Sequence, residues 1–211
     1  MERKEDIGPE RVSFATFLLK VLAAGVGGAG GGLVLFIIFL STSSFFADAT
    51  SDNVSPIFTF IVLIMAFLGS LFSNILSVWL MGLTEKGKYQ RISSAIYQVF
   101  IVSIIILLLM VPVYLISVGT DIHYAAYVSV LHIMIAAQAS ALILEIISNY
   151  KYALVGVYGV TFAFLVSTGI LVSLSRTSEE FYFIVFLAPL VIWVSIAIIH
   201  TFTTILYGWL A

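Results

Sequence analysis

Six apolar stretches dominate this chain, at 14–40, 56–82, 92–118, 124–148, 152–175 and 181–207. Each exceeds the roughly 20 residues that a helix needs to cross a bilayer. Only short connections separate them. In lipid every backbone N–H and C=O must find a partner within the protein, which leaves helices or a closed barrel. The runs are continuous and lack the period-2 alternation of barrel strands. The expected fold is therefore an all-α membrane protein. It consists of a cytoplasmic tail over 1–13 and a single six-helix transmembrane domain over 14–211.

Composition agrees with a lipid solvent. The chain is 62% hydrophobic and 9% charged, against about 45–50% and about 25% for soluble domains. Its net charge of −2 carries no basic field of the kind that attracts nucleic acid. It has no cysteine, which excludes disulfides, thiolate metal sites and a cysteine nucleophile.

The basic residues set the expected orientation. Arg3, Lys4, Arg11, Lys20, Lys86, Lys88, Arg91 and Lys151 fall on the side of the two termini, and only Arg176 on the other. The first side is assigned to the cytoplasm, in a cell membrane, with both termini inside. The outer connections carry Asp48, Asp52, Asp121, Glu179 and Glu180. Tyr89, Tyr124, Tyr150, Tyr152, Tyr182, Tyr207 and Trp209 lie near the expected helix ends, as interfacial aromatics do. Ala47-Asp-Ala49 resembles a signal-peptidase site. The apolar run before it is about twice the usual 7–15 residues, so the first span is expected to be retained. The 41–55 connection, rich in Ser, Thr and Asp and closed by Pro56, reads as a flexible outer turn.

The first span contains Gly25-Val-Gly-Gly-Ala-Gly-Gly-Gly32. Gly25, Gly27 and Gly30 match the spacing of a dinucleotide fingerprint, but that motif needs a preceding strand in a soluble βαβ unit. Here it lies inside a hydrophobic span. Gly27 and Gly31, and likewise Gly28 and Gly32, are four apart, so each pair shares a helix face along which another backbone can approach. The run is expected to be a packing surface or a hinge. The filler would be a helix of this chain or of a partner. Phe58–Ile64 (FTFIVLI) and Phe181–Leu187 (FYFIVFL) form a faint internal repeat, and both open spans entering from the same side.

Ionisable residues in lipid are costly and are site candidates by default. Lys20, His132, Glu145 and His200 are the ones in the spans. Five spans each place a polar side chain within roughly 12 Å of the cytoplasmic edge: Lys20, Asn74, Gln98, Glu145 and His200. The expected arrangement is one polar layer in the inner leaflet, with Lys20 paired to Glu145. Gln138 and Glu145 are seven apart and share a face. His132 points about 100° away from the Gln138 stripe. The competing reading makes these residues interhelical hydrogen-bond partners, with Lys20 snorkelling to the headgroups.

Enzyme chemistry has few candidates. Glu145 is the only carboxylate in the spans, so an acid–base pair is missing there. His123, His132 and His200 fall at different depths and do not form one zinc set. The sequence contains no Gly-x-Ser-x-Gly, His-Glu-x-x-His or P-loop. No cofactor or metal is expected. The first functional expectation is a non-enzymatic membrane-complex or assembly subunit, working through helix packing with other membrane proteins or with itself. The second is a small-solute or ion carrier using the inner-leaflet polar residues, with the glycine run as its moving point.

Overall fold

The computed structural model describes residues 13–44, 54–84, 92–148, 153–177 and 181–210. They form six helices: α1 (Phe14–Ser41), α2 (Pro56–Thr84), α3 (Ile92–Ile116), α4 (Ile122–Ser148), α5 (Ala153–Thr177) and α6 (Phe181–Leu210). Each contains a segment long and apolar enough to cross a membrane. The chain is a multi-pass integral membrane protein of all-helical fold.

Local chemistry explains where several helices start. Ser13 Oγ accepts from Thr16 N at 3.1 Å and caps α1. Ser55 Oγ does the same for Phe58 N at 3.1 Å, and Pro56 occupies the first helical position. Asp121 caps α4 by accepting from His123 N at 2.8 Å, so α4 begins at Ile122, two residues earlier than the apolar pattern suggests. α3 ends at Ile116 rather than Val118. Ser117 turns back to bond the Tyr114 carbonyl through both its N–H and its hydroxyl. Gly119 then adopts φ 78°, a conformation that suits a residue without a side chain. This turn is pinned by the residue that leads into the adjacent α2: Gly119 N donates to Val54 O at 2.9 Å, and Val54 N to Thr120 O at 3.1 Å.

The helices form an inner and an outer set. Half or more of α2, α4 and α6 is buried, against two-fifths or less of α1, α3 and α5. The inner helices meet as a triangle, and each outer helix fills a groove between two of them. α1 lies between α2 and α6, α3 between α2 and α4, and α5 between α4 and α6. Each outer helix therefore packs on the inner helices adjacent to it in sequence, with the chain treated as a ring. The Phe58–Ile64 and Phe181–Leu187 segments open two of the inner helices, α2 and α6. The triangle has one thin edge, between α2 and α6, and α1 sinks into it.

α1 runs unbroken through its glycines. One face packs on α2 in antiparallel register. An added Cβ at Gly27 would collide with Ser77, at Gly31 with Ser73, and Leu35 itself sits over Gly69. The small residues of α1 thus meet a matching stripe, Gly69-x-x-x-Ser73-x-x-x-Ser77, on α2. A second face packs on α6. An added Cβ at Gly28 would lie 2.6 Å from Leu190 Cα and 2.7 Å from the Pro189 carbonyl, and at Gly32 it would collide with the Phe186 carbonyl. Pro189 lacks the N–H that would bond four residues back, which frees backbone geometry on this stretch of α6. Phe36 and Phe39 extend the contact by packing edge-on against Phe186, with centroids 5.6 and 5.4 Å apart.

Candidate functional site

At the thin edge behind α1, Trp193 of α6 donates from Nε1 to Asn74 Oδ1 of α2 at 3.1 Å. Both side chains are fully buried. In a low-dielectric interior such a bond ties the two helices at one register. Asn74 Nδ2, Ser73 Oγ and Ser77 Oγ lie close by in sequence on α2 and have no hydrogen-bond partner among the described residues.

Gln138 is also buried and belongs to a different interface. With its amide nitrogen toward α5, the carboxamide donates to the Val160 carbonyl at 3.1 Å and accepts from Phe164 N at 3.3 Å. Val160 O and Phe164 N stand four residues apart, the spacing of one helical hydrogen bond. The side chain therefore grips α5 by its backbone. About one turn nearer the α4 N-terminus, Ser167 and Thr168 of α5 approach Met134 Sδ at 3.6 and 3.5 Å.

His200 is half-buried and turned toward α5, where an added Cβ on Gly159 would lie 3.2 Å from its Cδ2. Lys20 is 6% exposed, so its stem points into the bundle and not along the lipid surface. Extending the α1 register past Gly27 and Gly28 places Lys20 level with Thr84 of α2 and with Ile198 of α6, within a turn of His200. Gln98 is half-buried on α3. Glu145 belongs to α4, and its side chain lies outside the described residues. So do the connections that carry Asp48, Asp52, Lys86, Lys88, Arg91, Lys151, Glu179 and Glu180, together with the N-terminal basic residues before Ser13.

The polar residues thus separate into distinct interfaces. Asn74 is engaged with Trp193, Gln138 with the α5 backbone, and His200 packs beside Gly159. Lys20 and His200 approach one another in height. His132, which stands outside the Gln138 stripe in sequence, joins α4 to α3. Tyr114 Oη lies 3.4 Å from Ser129 Oγ and 3.5 Å from His132 Nδ1, and the Tyr114 and His132 rings meet edge-on at 6.0 Å.

Trp193 is the residue of this candidate site least visible from sequence. In the chain it is one more large apolar residue of a hydrophobic run. Only its indole N–H distinguishes it, since a buried Trp needs an acceptor. Among the described residues no group of three or more His, Cys, Asp or Glu side chains is placed to hold a metal ion. Compared with protein families, curated proteins and solved structures, the chain matches none.

Proposed function

We propose that this chain is a non-enzymatic subunit of a membrane assembly, which engages other membrane proteins or further copies of itself through its outer helix faces. The observation that supports this reading is how the interior is used. The α1 glycines are filled by α2 and α6, and Asn74 and Gln138 bond within the chain. These contacts tie α1 to α2 and α6, α2 to α6, and α4 to α5. Outward, α3 presents Leu108, Leu109, Leu115 and Ile116, each about two-thirds exposed. On α5, Gly169 has nothing within 4 Å of an added Cβ, so a helix can approach α5 closely there.

The test is extraction in mild detergent followed by size measurement and identification of co-purifying proteins. A stable complex or oligomer is expected, and Gly169→Leu is expected to weaken it. A lone monomer under every mild condition would overturn the reading.

A carrier is the second reading, and the burial of Lys20 favours it. A buried ammonium level with His200 is the kind of intramembrane charge that serves ion or solute pathways. Glu145, on the inner helix α4, is its expected counter-charge. Glu145→Gln in a proton-flux or uptake assay on reconstituted vesicles is expected to abolish transport if this reading holds. Unchanged flux would remove Glu145 from any such mechanism.

A further inference from the structure

α4 and α5 share a thinner contact than α5 shares with α6. Above Gln138 they leave a crevice of about 150 Å³ between them. Its floor is Val130 and Met134 of α4, Leu171 of α5 and Ile184 of α6, all buried. Its rim is Leu131 on one side and Val172 on the other, 37% and 46% exposed. We propose that this crevice holds one acyl chain of a bilayer phospholipid, with the lipid phosphate at the level of Arg176.

Three observations select that occupant. The first is position. The crevice opens sideways from helices that cross the membrane, so the medium at its mouth is hydrocarbon. A cavity of this size with apolar walls stays dry and takes hydrocarbon readily. The second is the state of its hydroxyls. Thr168 Oγ1 donates to the Phe164 carbonyl at 2.7 Å, and Ser175 Oγ to the Val172 carbonyl at 2.8 Å. Each hydroxyl has one proton and uses it on its own helix. Both protons are spent within the protein, and apart from the Tyr127 ring the rest of the lining is Val, Leu, Ile and Met.

The third is direction. The crevice runs along the helices from Tyr127 and Ser175 to Met134 and Thr168, seven residues or about 10 Å. It follows the path of a chain descending from the interface toward the midplane of a hydrocarbon core about 30 Å thick. At its upper end stand the exposed rings of Tyr124 and Tyr127 and the exposed Arg176 in the last turn of α5. Tyrosines mark headgroup depth, and a guanidinium there binds a phosphate.

The experiment uses the full chain in vesicles containing a phospholipid with a photoreactive group on its acyl chain. A matched diacylglycerol without phosphate serves as the comparison. Cross-linked residues are mapped by mass spectrometry. The expected result is phospholipid labelling concentrated on 127–134 and 168–175. Val172→Trp or Leu131→Trp should plug the rim and reduce that labelling to the level on the outer face of α3. Labelling on the other helices stays unchanged, which also reports that each variant is folded. Arg176→Gln should lower phospholipid labelling about fivefold, the effect of one basic residue at the headgroups, and leave diacylglycerol labelling unaltered. Labelling no denser in the crevice than elsewhere, labelling that survives both plugs, or equal labelling by the two lipids would each overturn the proposal. So would cross-linking of those segments to a protein instead of lipid.

Discussion

Gly25 and Gly28 are three residues apart in the same helix, yet they answer to different neighbours. A methyl on Gly25 would meet Val194 Cγ2 at 3.8 Å, an ordinary contact, whereas one on Gly28 would press into the backbone of Leu190 at 2.6 Å. Backbone cannot yield as a side-chain tip can. Gly28→Ala is therefore expected to destabilise the protein by about 1–3 kcal/mol. Gly25→Ala should be neutral or gain up to about 1 kcal/mol from better helix propensity. Thermal unfolding in detergent distinguishes the two, and equal effects would show that α1 does not seat on α6 as described. The Trp193–Asn74 bond is open to a double-mutant cycle. Trp193→Phe and Asn74→Ala should couple by about 0.6–2 kcal/mol, the range for hydrogen bonds between membrane helices. Coupling near zero would mean that the bond does not stabilise the α2–α6 edge.

Between elements, two devices hold the outer helices in their grooves. α1 relies on absent side chains: Gly27 and Gly31 receive Ser77 and Ser73, while Gly28 and Gly32 receive the α6 backbone. Lipid tails are as apolar as the helices, so close packing must supply much of the attraction. α5 relies on a polar grip, since Gln138 reaches its backbone at Val160 and Phe164. Gln138→Leu is expected to loosen α5 by about 0.6–2 kcal/mol. Hydrogen exchange should then accelerate at residues 160–164 and remain unchanged in α1. Equal protection of α5 in the variant and the parent would dismiss the grip.

For the molecule as a whole, the ring-like order of outer helices around an inner triangle follows from hairpin connectivity. Consecutive helices pack as neighbours, and the last inner helix, α6, returns to receive α1. Sidedness rests on charge. The chain has no cysteine, so single cysteines can be introduced without removing any. Cysteines placed at positions 2, 87 and 211 are expected to react with an impermeant reagent from the cytoplasmic side, and one at position 50 from the opposite side. Termini labelled from opposite faces would overturn the orientation and the common height assigned to Lys20 and His200.

Much of this architecture is legible in the linear chain, for a physical reason. Lipid cannot satisfy a backbone amide, so runs such as 56–82 have no alternative to the helix, and their number and near-extents follow from composition alone. Which residues meet is another matter. Gly69, Ser73 and Ser77 are unremarkable in α2 until Leu35, Gly31 and Gly27 stand opposite them. Asn74 reads as a member of the polar layer, and Gln138 as sharing the face of Glu145, because depth and face are countable along a helix. They part company because the direction each side chain faces depends on how α2 and α4 are rotated in the bundle. That rotation is set by the fit of side chains between segments far apart in sequence, and no periodicity within a single span encodes it.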